Sequence, residues 1–277
     1  MKKIGFIDYY LSEWHANNYP AWIKEQCTHL GFEYEIAYAW GELEVSPRDG
    51  KSNAEWCAEH GVTLCQTMEE VCEKSDVLLI LAPSDPEKHL QYAQIALQYG
   101  KRTYIDKTFA PNFAEAEKIF ALSDQYGSKC FSTSALRYAD ELEVLKGARN
   151  VITTGGGRSA DEYLVHQIEM IVKLLGTDAT AVKSEAQGTQ RIFRVAYGEN
   201  MGAAAIYANS LPFAITAENA DGVSVTKPVA SDFFRMLMAK ILLFYETGET
   251  DFDRAETLAV MKLREVLLSN TGTWERL

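Results

Sequence analysis

The sequence predicts an α/β chain: a doubly wound parallel sheet first, then a smaller α+β domain with a mostly antiparallel sheet. Three observations predict it. Short apolar runs alternate with helical stretches from residue 1 to about 135, the spacing of βαβ units. One run, Val77-Leu78-Leu79-Ile80-Leu81, is continuously apolar, as a strand buried on both faces of a parallel sheet must be. Beyond about residue 180 the strand-like stretches follow one another directly, with hairpin-like turns at Tyr197-Gly198-Glu199-Asn200 and Asp221-Gly222.

Each element follows from local pattern. Residues 3–7 (KIGFI) read as a buried strand. Residues 12–30 read as a helix with Ser12 as its N-cap and Pro20 interrupting it near the middle. Residues 33–40 form a second strand, 52–60 a helix ended by Gly61, 62–65 a short strand and 67–74 a short helix. After the apolar strand at 76–81 come a helix at 86–99 stopped by Gly100, a strand at 102–106, a helix at 112–126 stopped by Gly127 and a strand at 129–132. These elements make one domain over 1–135, and 136–277 makes the second, with the junction in 135–150. The second domain opens with Gly155-Gly156-Gly157 and a helix at 160–175. Strands at 180–187, 190–197, 202–208, 213–217 and 222–226 follow, then helices at 230–246 and 253–268.

Composition narrows the function classes. The chain has 277 residues, 47% hydrophobic and 24% charged, which is enough to bury a core without staples. A net charge of −12 argues against nucleic acid and anionic membranes as partners, because both need clustered Lys and Arg. The five cysteines form no CxxC pair, so they read as reduced thiols of a cytoplasmic protein rather than a disulfide or zinc framework. His15, His29 and His60 have no ligand-spaced partners, so no metal site is expected. The apolar run at the N-terminus is short for a signal peptide and no stretch of about 18 apolar residues occurs, so neither a signal peptide nor a membrane span is expected.

In a doubly wound sheet, ligands bind beyond the carboxyl ends of the strands. The first such turn reads Ile7-Asp8-Tyr9-Tyr10-Leu11-Ser12-Glu13 and contains no glycine. A dinucleotide site usually places G-x-G-x-x-G there, so that backbone approaches the pyrophosphate at a helix N-terminus. Asp8 and Glu13 would repel a pyrophosphate they faced. Asp8, Tyr9 and Ser12 remain candidate contacts through backbone amides and the Ser12 hydroxyl, beside the alternative of an ordinary turn with no phosphate contact. After the second strand, Trp40 is a candidate to stack on adenine and Glu42 to hold the ribose, against a packed aromatic and a solvated Glu. After the apolar strand come Ala82-Pro83, then His89, then Gly100-Lys101 and the strand ending in Asp106-Lys107-Thr108. A lysine at such a strand end can orient a substrate hydroxyl and assist proton transfer. Farther on, Gly155-Gly156-Gly157 leads into a helix carrying Glu162 and His166 as i, i+4 neighbours. Glu162, His166, Glu169 and Lys173 share one face, and Val165, Ile168, Val172 and Leu175 another.

The Pro-loop, His, Gly-Lys and Asp-Lys series, with the Gly-Gly…Glu-x-x-x-His helix, resembles the glucose–fructose oxidoreductase / inositol dehydrogenase (Gfo/Idh/MocA) family, here without its glycine fingerprint. The resemblance implies a Rossmann-like dinucleotide-binding domain and a substrate domain. It implies an NAD(P)-dependent oxidoreductase moving a hydride between nicotinamide and a sugar, polyol or related hydroxy compound. Pro83, His89, Asp106 and Lys107 would lie near the cofactor. Lys107, His166 and Glu162 would be catalytic, with His166 exchanging the hydroxyl proton, Lys107 orienting the oxygen and Glu162 positioning the substrate or His166. Asp161 is the rival for Glu162 if the register is off by one, and Glu169 matches an acidic position of the family. Glu42 favours NAD over NADP if it reaches the ribose. A dimer or tetramer is expected by likeness to the family. The missing fingerprint keeps two alternatives open: a non-redox binding or regulatory protein, and a lyase or epimerase that retains its cofactor.

Overall fold

The computed structural model describes residues 1–277. The chain divides into two compact units, 1–132 with 237–251, and 133–236 with 252–277. This departs from a single cut near 135, because residues 237–251 return to the first unit. Tyr245 accounts for the return: it is fully buried there, and its hydroxyl donates to the Leu78 carbonyl at 2.7 Å.

In the first unit the order is β1 (Lys2–Asp8), α1 (Trp14–Leu30), β2 (Tyr34–Gly41), α2 (Asn53–His60), β3 (Thr63–Leu64), α3 (Met68–Lys74), β4 (Val77–Ile80), α4 (Glu87–Ala96), β5 (Thr103–Ile105), α5 (Phe113–Tyr126) and β6 (Cys130–Phe131). The six strands are parallel in the order β3-β2-β1-β4-β5-β6. The chain therefore winds one way from β1 and then the other, and the switch lies between β1 and β4. Ile4, Phe6 and Ile7 with Leu78–Leu81 are completely buried, which is why these strands carry no polar alternation. Gly5 lets β1 lie against α3: a Cβ there would sit 2.4 Å from Ser75 Oγ and 2.5 Å from a Val71 methyl.

Two sequence expectations about α1 are corrected. Its N-cap is Glu13, whose side chain accepts from the His15 and Ala16 amides. Ser12 instead donates its hydroxyl to Asp49 at 2.7 Å. Pro20 lies inside the helix without ending it.

In the second unit the order is β7 (Asn150–Gly155), α6 (Ala160–Leu175), β8 (Ala181–Gln187), β9 (Gln190–Ala196), β10 (Gly202–Tyr207), β11 (Ala214–Glu218), β12 (Ser224–Pro228), α8 (Arg254–Ser269) and β13 (Glu275–Arg276). A further helix, α7 (Phe233–Thr247), crosses from the second unit into the first. The seven-stranded sheet has the order β12-β11-β7-β10-β9-β8-β13 and is antiparallel except where β7 pairs with β10. The sequence reading missed β7, because Val151-Ile152-Thr153-Thr154 is short and runs straight into the glycines. Its alternation is nonetheless regular: Val151 and Thr153 are buried while Ile152 is exposed.

The three glycines are steric necessities. A Cβ on Gly155 would meet the Phe213 ring at 2.5 Å, one on Gly156 the Ala208 carbonyl oxygen at 2.0 Å, and one on Gly157 the Tyr163 ring at 2.3 Å. They let the end of β7 pass against the chain after β10 and enter α6. Because the obstacle at Gly156 is backbone, Gly156→Ala should destabilise the protein by about 1–3 kcal/mol, the usual range for overpacking. Urea unfolding measures this directly, and an unchanged midpoint would refute the steric account.

Candidate active site

The carboxyl edge of the parallel sheet carries a buried ionisable cluster. Asp8, at the end of β1, is 1% exposed. Its Oδ1 accepts from the Tyr9 amide at 2.7 Å and the Ala82 amide at 2.9 Å. Ala82 follows β4 and has φ of 63°. That left-handed backbone costs a non-glycine residue roughly 1 kcal/mol. Asp8 thus ties the ends of β1 and β4 together across the switch point. Its Oδ2 has no hydrogen-bond partner. Burial, then the charges of Glu13 and Asp106, push its carboxyl well above the usual range, so the neutral acid is favoured.

Glu13, 3% exposed, caps α1, with Oε2 accepting from the His15 amide at 2.9 Å and Oε1 from the Ala16 amide. Glu13 Oε2 also lies 3.1 Å from His15 Nδ1, while His15 Nε2 is 3.8 Å from Asp106 Oδ2. Asp106, just past β5, is completely buried. Its Oδ1 accepts from Tyr104 at 3.2 Å and Tyr19 at 3.4 Å. Lys107 is 8% exposed and donates Nζ to the Pro83 carbonyl at 3.0 Å, 3.6 Å from Asp106 Oδ2. The Lys107–Thr108 peptide is cis.

The other sequence candidates in this unit each have a partner within the protein. Ser12 is held by Asp49, and the Tyr9 amide is taken by Asp8. His89 is fully buried, with its ring nitrogens on the Leu81 and Phe109 carbonyls. It joins the loops after β4 and β5. Burial outweighs those carbonyls and pushes its pKa down. Trp40 packs edge-on against Tyr92 at 5.8 Å. Glu42 accepts from Lys88 at 2.6 Å and from the Tyr92 hydroxyl at 2.7 Å. Partial burial opposes its ionisation, but Lys88 and Tyr92 outweigh burial and hold its carboxyl below the usual range.

In the second unit, His166 is half-buried on α6, with Nδ1 at 2.7 Å from Ser134 Oγ and its ring between Tyr163 and Phe213. Ser134 is itself fixed. Its hydroxyl accepts from the Leu136 amide, and its own amide donates to Glu169 Oε1 at 3.2 Å. Glu169 Oε2 accepts from Arg137 at 2.9 Å, and Arg137 also meets Glu256. Burial works against the Arg137 charge, but Glu169 and Glu256 outweigh it and raise its pKa. The expected polar face of α6 is thus no solvated stripe, because Glu169 is 3% exposed beneath it. Glu162 accepts from Arg158 through both oxygens, at 2.6 and 3.0 Å. The rival Asp161 is exposed and salt-bridged to Arg264 at 2.9 Å. The sequence reading missed His15, Tyr19, Ser134 and Arg137. Only His15 left a signal, as the residue two after Glu13.

No group of His, Cys, Asp and Glu residues is arranged to hold a metal ion, and no helix is long and apolar enough to cross a membrane. Residues 43–134 match the model of the Gfo/Idh/MocA family, described as an oxidoreductase family with an NAD-binding Rossmann fold. That match takes in 92 of the chain's 277 residues. An oxidoreductase of Escherichia coli K12, YhhX, is 26% identical over 112 residues. That match covers 36% of this chain and only 32% of YhhX. Among solved structures, GenD2 from gentamicin A biosynthesis, in complex with NAD, superposes with a TM-score of 0.81 at 10% identity, covering 100% of this chain and 97% of that one. UDP-N-acetylglucosamine 3-dehydrogenase GnnA from Acidithiobacillus ferrooxidans gives 0.73 at 12% identity, covering 97% of each chain. These two likenesses show the fold.

The family implies NAD or NADP, and the first turn does not fit its diphosphate as folded. The α1 amides of His15 and Ala16 are capped by Glu13, the Tyr9 amide is held by Asp8 and the Leu11 amide by Asn53 at 3.1 Å. No glycine opens the turn. The buried Asp8 makes this arrangement pH-sensitive. Its folded pKa is raised, so its contribution to stability is present below the unfolded value of 3.8 and is lost as pH rises toward the folded one. Asp8→Asn keeps an acceptor for both amides and removes the titration. Its melting temperature should exceed that of wild type by more at pH 8 than at pH 5. An equal offset at both would show that the folded state holds no extra proton on Asp8 between pH 5 and pH 8, and so that its pKa is not raised into that range.

Proposed function

We propose that the protein is a dehydrogenase or reductase interconverting a hydroxyl and a carbonyl on a sugar, polyol or related hydroxy compound. The observation that carries this reading is Lys107: a nearly buried cation just beyond β5, anchored by Pro83 and Asp106, within the stretch matched by the family model. An ammonium so placed can donate to a substrate oxygen and stabilise charge developing on it. His166, fixed at Nδ1 by Ser134, exchanges the hydroxyl proton through Nε2. Glu162, paired with Arg158 on the first turn of α6, is a substrate-hydroxyl contact. The carbohydrate class is supported by likeness to GnnA, whose name states a sugar-nucleotide substrate. NAD or NADP is the cofactor the family model implies and would supply the hydride acceptor or donor, and Glu42 just past β2 favours NAD. A homo-oligomer is proposed with this activity, supported by a groove on the seven-stranded sheet lined by Ile152 and Trp274, both exposed.

A second reading, a binding protein without a dinucleotide, is favoured by the self-capped first turn. Titration of the purified protein with NADH and NADPH, followed by calorimetry, separates the two. Saturable binding followed by turnover in a sugar and polyol screen is the expected outcome. No binding of either nucleotide to folded protein moves the assignment to the second reading.

Within the enzyme reading, Lys107→Met and His166→Ala should each lower kcat/KM by about 10²–10⁴-fold, the usual range for general acid–base groups. Ser134→Ala should lower kcat by about tenfold through loss of ring orientation, with little effect on KM. Full turnover in His166→Ala would end the proton-transfer assignment.

A further inference from the structure

The fold places a built-in anion where this family's fold would hold a diphosphate. In a doubly wound sheet the phosphates lie at the N-terminus of the first helix, over the switch point between the two central strands. Here the Glu13 carboxylate takes the two α1 amides that would meet that phosphate, and it is 3% exposed. An independent feature points the same way. Asp8 closes the switch point by accepting from Ala82 across the β1–β4 gap, and its Oδ2 is buried without a hydrogen-bond partner. The two acidic side chains come from opposite ends of one glycine-free turn. A diphosphate entering this turn would lose the amides to Glu13 and meet two acidic side chains.

We propose that Glu13 is an intramolecular competitor of the cofactor's diphosphate, so that a dinucleotide binds the first unit only by displacing Glu13 from the α1 N-terminus. The proposal rests on the oxidoreductase reading above and adds a specific mode of control to it. Glu13 has a second attachment, His15 Nδ1 at 3.1 Å, and His15 in turn reaches toward Asp106. Displacement of Glu13 therefore removes the Nδ1 contact of His15, whose other ring nitrogen lies 3.8 Å from Asp106 Oδ2. Occupation of the turn by its own carboxylate and the setting of Lys107 are linked in one cluster.

The test is the NADH affinity of wild type, Glu13→Ser and Glu13→Gln by calorimetry, with melting temperatures as the folding control. Serine caps the helix without charge or reach, and glutamine keeps the reach while removing the charge. Glu13→Ser is expected to bind NADH at least about tenfold more tightly than wild type, with Glu13→Gln between them. The amide resonances of His15 and Ala16 should shift on NADH addition in Glu13→Ser at concentrations that leave wild type unchanged. A folded Glu13→Ser that binds no more tightly than wild type overturns the competition. If wild type then still binds and turns over substrate, only the competition fails. If no variant binds NADH, the dinucleotide reading falls with it. Tighter binding without turnover of any hydroxy compound would keep the competition and remove the proposed reaction.

Discussion

The bond from Asp8 to the Ala82 amide is the constraint around which the first unit's functional edge is organised. A carboxyl group with almost no exposure must satisfy its oxygens locally or be neutralised. Oδ1 does the first, with two backbone amides, and burial raises the pKa in the direction of the second. Ala82 accepts an unfavourable φ within this contact, and the loop leading to Pro83 starts there. Pro83 supplies the carbonyl that anchors Lys107. One buried acid is therefore linked by short steps to the lysine on which the proposed chemistry depends.

Helix termini show how the same physics yields opposite outcomes. α2 is closed by a capping box between Ser52 and Glu55, and α5 by Asn112, each with a short side chain reaching its own first turn. At α1 the cap is a glutamate, a longer and acidic side chain that also meets His15. A neutral cap satisfies amides only. Glu13 adds a charge to a helix end that favours anions, and so removes the electrostatic attraction that end would exert on a phosphate. The helix gains a stable start, and the turn ceases to be a generic anion site.

In the second unit, precision is transmitted from a buried ion pair. Arg137 and Glu169 are both nearly inaccessible, and Glu169 passes its second oxygen to the Ser134 amide. Ser134 then orients His166. Isolated buried ion pairs add little stability over apolar substitutes, but they select one geometry among several. Here the selected geometry is that of an imidazole, which suits a residue proposed to move a proton.

The sequence by itself determined the alternating architecture, nearly every element in the first unit, and the positions of Lys107 and His166 at a strand end and on a helix. Those follow from local rules: apolar runs, caps, glycine stops and spacing act over a few residues. It also carried the warning in the first turn, since a missing glycine is a local fact. Tertiary structure alone decided the strand at 150–155, whose short Thr-rich stretch gains its pairing only from β10 and β11. It alone decided that 237–251 rejoins the first unit, because Tyr245 finds its acceptor on a strand far away in the chain. It also decided that Glu13, and not Ser12, caps α1: the choice depends on Asp49, which draws the serine hydroxyl away. Burial and long-range hydrogen bonding set which carboxylate meets which amide, and no spacing along the chain encodes them.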